Sequence, residues 1–195
     1  ADTALRTYLT ELDKKVNSFA SSNGLTLSQS QHDALVVYSH VAGTAWLSGT
    51  GTLKSAIVSK AGATELLNVL DNLEGNIDRN PVISERNQVI VDMYIHGVYS
   101  NTAPDRYQAV TYDVNSPVGA DARLSVCDED TYTMYFDTTQ IVSHITASCP
   151  GYKFLGWYTE SIGGKWMPKL DAACVSEEHN PDKVLYAHWQ EDEDH

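Results

Sequence analysis

Pro150-Gly151-Tyr152-Lys153-Phe154-Leu155-Gly156-Trp157-Tyr158-Thr159 decides how the second half of this chain folds. Aromatic or apolar residues alternate there with small or polar ones, and a period of two marks a half-buried strand, not a helix. Val184-Leu185-Tyr186-Ala187-His188-Trp189 repeats the pattern near the C-terminus and supplies a second strand. Working outward, residues 107–114, 132–136 and 140–146 are rich in Tyr, Val, Thr and Ile and predict further strands. Gly163-Gly164 predicts a tight turn, and residues 191–195 read as an acidic, frayed tail.

Toward the N-terminus the apolar period changes to 3.6. Leu5, Tyr8, Leu9, Leu12, Val16 and Phe19 recur at spacings of three and four, which predicts an amphipathic helix over residues 3–19, ended by Ser21-Ser22-Asn23-Gly24. Ser28 and Gln31 form a capping box, with Asp33 expected in the first turn of the next helix, where negative charge favours the helix dipole. That helix is expected to run to about Ala42 with Leu35, Val36 and Ser39 on one side, stopped by Gly43. Shorter helices are predicted over residues 52–60 and 63–73, separated by Gly62 and closed by Gly75. Asn80-Pro81 opens another, because proline lacks only an N–H that the first helical turn would leave unpaired. Val82, Val89, Ile90, Met93 and Tyr94 form its expected buried stripe, and Gly97 its end.

The stretch 99–105 is polar and turn-forming, so the expected division is a helical domain at 1–100, a linker at 101–106, a β-rich domain at 107–190 and the acidic tail at 191–195. Helices precede strands in chain order, which favours an α+β chain of two domains over an interleaved α/β fold.

With 42% apolar and 20% charged residues, the composition is that of an ordinary globular protein. No apolar stretch approaches the roughly 20 residues a membrane-spanning helix needs, so membrane insertion is not expected. The chain opens Ala1-Asp2-Thr3 without a basic leader and reads as a mature or excised segment. Thirteen basic residues face 26 acidic ones, unevenly: residues 1–100 carry 7 and 10, residues 101–195 carry 6 and 16. Phosphate recognition draws on clustered Lys and Arg, so this balance argues against nucleic acid, anionic lipid and teichoic acid as partners.

Three cysteines, Cys127, Cys149 and Cys174, allow one disulfide with a free thiol or three free thiols. Cys149 and Cys174 are the candidate pair, with bridged and unbridged states equally open. His144, His179 and His188 lack metal-ligand spacing, and Asp128-Glu129-Asp130 reads as an acidic turn more readily than as a calcium site. Gly49-Thr50-Gly51-Thr52 has no following Gly-Lys-Ser/Thr, and no Gly-x-Ser-x-Gly elbow occurs. No metal or cofactor is expected.

The Gly-Tyr-x-Phe-x-Gly-Trp-Tyr run, answered by Leu-Tyr-Ala-His-Trp, resembles the Listeria-Bacteroides repeat, the module of internalin B-repeats in bacterial surface proteins. The resemblance covers residues 107–190 and implies a small β-grasp-like fold and an extracellular or cell-surface location in a bacterium of Gram-positive type. Leu25-Thr26-Leu27-Ser28-Gln29-Ser30-Gln31-His32-Asp33-Ala34-Leu35-Val36-Val37-Tyr38-Ser39-His40-Val41-Ala42-Gly43 is similar to the central helix of phage-type lysozymes, endolysin-like muramidases. Thr52-Leu53-Lys54 and Ser84-Glu85-Arg86-Asn87-Gln88-Val89-Ile90 stand where that family has its Leu-Leu-Lys segment and closing helix. This resemblance spans residues 3–99 and implies the helical lobe that forms one wall of a glycan cleft. The family's catalytic Glu, and the Asp or Cys and Thr that follow it, lie ahead of the first helix seen here and map onto no residue of this chain. His40 also departs from the family's usual Asn.

Glycoside hydrolysis needs two carboxyl groups across a cleft, one of them protonated. Glu11 and Asp13 are two residues apart on one helix, while Asp33, Glu65, Glu74, Glu85 and Asp92 fall where caps and solvated helix faces are expected. The aromatic residues are better binding candidates, because a ring face offers a large contact at low entropic cost. Trp157 and Trp189 belong to the strand pattern and hence to a core. Tyr38, His40, Trp46 and Trp166 are the candidate binding residues, with Trp46 and Trp166 expected to be exposed; His32 and His40 share one helix and could line a groove.

The resulting expectation is a non-catalytic segment that binds cell-wall glycan or a surface protein partner through the helical lobe, with the β repeat as presenting or spacer module. The alternatives are a fragment of a peptidoglycan N-acetylmuramidase without its catalytic lobe, and a purely structural stalk.

Overall fold

The structure, a computed structural model, describes residues 2–73 and 80–193. The chain divides into two compact units, residues 1–105 and 106–195, each with its own core. Among the described residues it combines six α-helices with a mixed five-stranded sheet, an α+β architecture.

The helical unit runs α1 (Asp2–Ser22), α2 (Gln29–Ala42), α3 (Ala45–Ser48), α4 (Thr52–Val58), α5 (Ala63–Leu73) and α6 (Pro81–His96). The Ser28–Gln31 capping box forms in full, which fixes the start of α2. Asp33 lies beyond the first turn, so it does not serve the dipole as expected; its carboxylate takes hydrogen bonds from Gln29 and Tyr99 instead. Asn80 caps α6, and Gly97 ends it at φ 71°, a left-handed conformation that suits glycine. Gly75 falls outside the described residues.

Leu12, Val16 and Phe19 of α1 meet Ala34, Leu35 and Tyr38 of α2, Leu53 and Ile57 of α4, Leu66, Leu67 and Leu70 of α5, and Ile90, Val91 and Tyr94 of α6 in one apolar core. The stripe expected on α6 is corrected at its N-terminal end. Val82 is 75% exposed, and Ser84, Asn87, Gln88 and Asp92 are buried in place of aliphatic residues. The reason is a polar seam between α5 and α6: Ser84 Oγ (3.1 Å) and Asn87 Nδ2 (2.7 Å) both donate to the fully buried Asp71 carboxylate. A buried carboxylate persists only with such donors around it. Asp92, expected on a solvated face, is likewise 1% exposed.

The second unit contains β1 (Tyr107–Asp113), β2 (Arg123–Leu124), β3 (Thr131–Asp137), β4 (Ala147–Ser148), β5 (Tyr152–Tyr158), β6 (Trp166–Met167), a short 3₁₀ helix at Ala172–Val175, and β7 (Val184–Glu191). The main sheet has the order β3-β1-β7-β5-β6; β1 and β7 are parallel and the other pairs antiparallel. β2 and β4 form a separate two-stranded ladder. The strand expected at 140–146 does not form. After a turn held by Asp137, which accepts from Thr139 N at 2.9 Å, that segment makes one bridge, Val142 to Leu170, and lays Val142 and Ile145 over the core. Residues 163–164 turn as expected, both with positive φ.

Candidate functional site

In the helical unit, His32 lies between two carboxylates. Its Nε2 is 3.2 Å from Asp13 Oδ1 on α1, and its Nδ1 is 3.4 Å from Asp33 Oδ1. Tyr99, just after α6, donates to Asp33 Oδ2 at 2.7 Å. Partial burial alone would raise the Asp33 pKa, but the hydrogen bonds from Tyr99, Gln29 and His32 hold it below the ordinary value. This chain of contacts fastens α1, α2 and the segment after α6 beside a polar cleft of about 360 Å³ lined by Asn17, Ser21, Ser28 and Gln29. Both imidazole nitrogens face carboxylates, with the hydrogen bond made at Nδ1 to Asp33.

His32 and His40 do not line one groove. His40 is exposed and meets Tyr8 edge-to-face at 5.6 Å between ring centroids. Leu5, Tyr8 and Leu9 of α1 and Val37 and Val41 of α2 are 39–51% exposed, so an apolar patch surrounds this pair. Tyr38 and Trp46 are corrections. Tyr38 is 3% exposed, and Trp46 is half-buried, packed edge-on against Phe19 at 5.1 Å and Tyr38 at 6.0 Å. The apolar helix faces draw Tyr38 into the core and cover much of Trp46, which is less exposed than expected.

In the second unit a β-bulge sorts the aromatic run. The register of β5 against β7 slips between Phe154 and Gly156, so Leu155 is an extra residue. Phe154 and Trp157, three positions apart, therefore both face the core, 5.4 Å apart, and Tyr158 turns to the other side. Trp157 and Trp189 pack in and against the core and donate their indole N–H groups to Ile145 O (2.8 Å) and Val114 O (2.9 Å). Leu185 and Ala187 point into the same core, as does Met167, so Tyr186, His188 and Trp166 lie on the opposite face.

That second face carries an aromatic row. Trp166 on β6 is directly opposite Tyr158 on β5, Tyr158 is opposite Tyr186 on β7, and Tyr186 is opposite Asp113 on β1. His188 stacks on Tyr158 at 3.9 Å, with 10° between ring planes. Trp166 is 55% exposed, as expected. Its indole lies over Gly156, where a β-carbon would stand 2.8 Å from Nε1. The row was not legible in the linear sequence, because its members come from β1, β5, β6 and β7.

Beside this face, Asn115 joins two loops. Its Nδ2 donates to Ser161 O and to Ala187 O, each at 2.9 Å, and its own backbone N donates to Asp113 Oδ1 at 2.7 Å. The loops flank a groove of about 400 Å³ and project Val118 and Ile162 into solvent.

The three cysteines are free thiols, so Cys149 and Cys174 are not joined. Each buried thiol is engaged locally instead: Cys174 Sγ is 3.3 Å from Lys169 O, and Cys149 Sγ is 3.9 Å from Pro150 O. Burial raises the pKa of both. Tyr112 Oη sits 2.8 Å from His144 Nδ1; burial pushes the phenol pKa up and the imidazole pKa down. Among the described residues no group of three or more His, Cys, Asp or Glu side chains is placed to hold a metal ion. Glu11 is bound to Lys14 at 2.9 Å, and that contact lowers its pKa, the opposite of what a general acid needs. Asp128, in the acidic turn, faces Arg123 at 3.5 Å.

No helix among the described residues is long and apolar enough to cross a membrane. Comparison with protein-family models, with curated proteins and with solved structures gave no match.

Proposed function

We propose that this chain is a non-catalytic binding segment of a bacterial secreted or cell-surface protein, in which a lysozyme-like helical lobe contacts cell-wall glycan or a protein partner and a β-grasp-like repeat presents it. The observation that carries the reading is the exposed patch of Leu5, Tyr8, Leu9, Val37, His40 and Val41 on α1 and α2. An apolar patch organised around an aromatic–imidazole pair is a surface on which a partner gains by excluding water. The β-grasp reading is supported by the strand order β3-β1-β7-β5-β6, with the first and last long strands parallel neighbours in mid-sheet. The non-catalytic reading is supported by the states of the carboxylates: Asp71 is tied into the α5–α6 seam, Asp33 is held ionised by its donors, and Glu11 is paired with Lys14.

The test is sedimentation of the purified chain with insoluble peptidoglycan at low salt. Retention that is lost in Tyr8→Ser/Val41→Ser supports the reading, and absence of retention together with absence of any captured surface-protein partner overturns it. Clearing of a wall suspension by the chain alone would overturn its non-catalytic part.

A further inference from the structure

The geometry points to the second face of the five-stranded sheet as a carbohydrate-binding site, on which Trp166, Tyr158 and Tyr186 stack against the pyranose rings of a neutral glycan. This goes beyond the reading above, because it makes the sheet unit a binding module in its own right and not a spacer.

Three features of the chain converge on this face. The bulge at Leu155 turns Tyr158 outward, away from the core that holds Trp157. Gly156, at φ 125° and without a side chain, gives the Trp166 indole room to lie over the sheet, since a β-carbon there would stand 2.8 Å from Nε1. The β6–β5–β7 pairing then sets Trp166, Tyr158 and Tyr186 side by side across three neighbouring strands. Neighbouring strands are about 4.8 Å apart, so the rings form a stepped track perpendicular to the strands, each step close to the length of one sugar unit. His188, stacked on Tyr158 with its Nε2 2.9 Å from Glu160 O, braces the middle ring.

The ligand chemistry follows from what surrounds the track. Residues 101–195 carry 16 acidic against 6 basic residues, which repels polyanions such as teichoic acid or nucleic acid. An extended peptide would seek a sheet edge, where backbone groups are unpaired, whereas this track starts on the two-residue edge strand β6 and runs inward across β5 and β7. A cationic side chain would seek a carboxylate beside the rings. The carboxylate in the row, Asp113, already accepts from Asn115 N at 2.7 Å. A pyranose ring presents an apolar C–H face to aromatic rings and neutral hydroxyls around its rim. The hydroxyls of Thr111 and Thr133, 2.8 Å apart on the same face, offer hydrogen-bonding partners to that rim.

The experiment is calorimetric titration of the full chain with a β-1,4-linked tetramer of N-acetylglucosamine and with the matching glucose tetramer, in parallel with a lysine-rich peptide. Binding of at least one sugar, weakened roughly tenfold in Trp166→Ala and in Tyr186→Ala and unchanged in Glu65→Ala on an exposed helix face of the other unit, supports the site. Both platform variants replace side chains on the solvent face, and retained melting temperature verifies their fold; partial recovery in Trp166→Phe marks the ring itself as the contact. Sugar binding that persists unaltered in Trp166→Ala overturns the site, as does binding of the peptide alone or of nothing. Retention on peptidoglycan that fails only in Tyr8→Ser would leave the helical-lobe reading standing while this one falls.

Discussion

Trp166 lies against the bare backbone of Gly156, with its indole Nε1 2.8 Å from the point where a β-carbon would stand. Gly156 is also the residue at which the β5–β7 register slips, so one glycine serves both the bulge and the ring above it. Gly156→Ala is expected to displace Trp166 and to strain the backbone at φ 125°, at a cost of about 1–3 kcal/mol. A chemical-denaturation curve gives the cost, and an altered tryptophan emission reports the displaced indole. Wild-type stability and emission in this variant would contradict the geometry.

Asp71 is expected to be the least replaceable polar residue of the helical unit. Asp71→Ala removes two buried hydrogen bonds to a carboxylate, from Ser84 Oγ and Asn87 Nδ2, and hydrogen bonds to charged groups contribute about 1.5–3 kcal/mol each. Urea unfolding should place the loss near or above 3 kcal/mol. A loss comparable to that of an exposed site, such as Glu65→Ala, would count against the seam.

Asn115→Ala should loosen two loops at once, since one amide donates to both Ser161 and Ala187. The expected cost is about 1–2 kcal/mol, with faster hydrogen exchange in the loops at 115–119 and 160–164. Unaltered exchange in the second loop would show that the amide does not join them.

Tyr112 and His144 make the sheet unit sensitive to pH at both ends. Burial holds the His144 pKa below its ordinary value. The unfolded chain therefore binds the proton more readily, and the contribution is complete above about pH 6.5 and lost as pH falls through the folded value. Burial, followed by the neighbouring Cys174, holds the Tyr112 phenol above its ordinary value. That contribution is complete below about pH 10 and declines above it. Melting temperature measured across this range should fall at both ends, and His144→Gln should flatten the acid side alone. An acid limb identical to wild type in that variant would assign the effect elsewhere.

Thiol titration should find three free cysteines under denaturing, non-reducing conditions. In the folded chain the half-buried Cys127 should react first, with buried Cys149 and Cys174 following only on unfolding. A count of one would indicate a disulfide.

Much of the fold could be read from period and punctuation. The switch from spacing 3.6 to spacing two separates helices from strands near residue 100, and the Ser28–Gln31 box and Asn80-Pro81 mark helix starts that the structure reproduces. These signals are local, since each depends on residues within one or two turns. Residues 140–146 failed as a strand because composition does not say whether a neighbour is there to pair with; only Val142 finds one. The stripe on α6 was misread for a related reason. Ser84 and Asn87 look solvated until Asp71, on another helix, is brought against that side.

The candidate binding residues divide along the same line. Trp46 and Tyr38 differ little from Trp166 as sequence symbols, yet Trp46 packs against both Phe19 and Tyr38 while Trp166 stands over Gly156. By itself the sequence determined most of the long helices and strands, because caps, proline, glycine and hydrophobic period act within a few residues. Tertiary structure alone decided that Tyr38 and Trp46 turn inward and which of the outward rings meet. That outcome depends on a one-residue bulge and on the lateral order of strands, and pairings between residues distant along the chain carry no local signal.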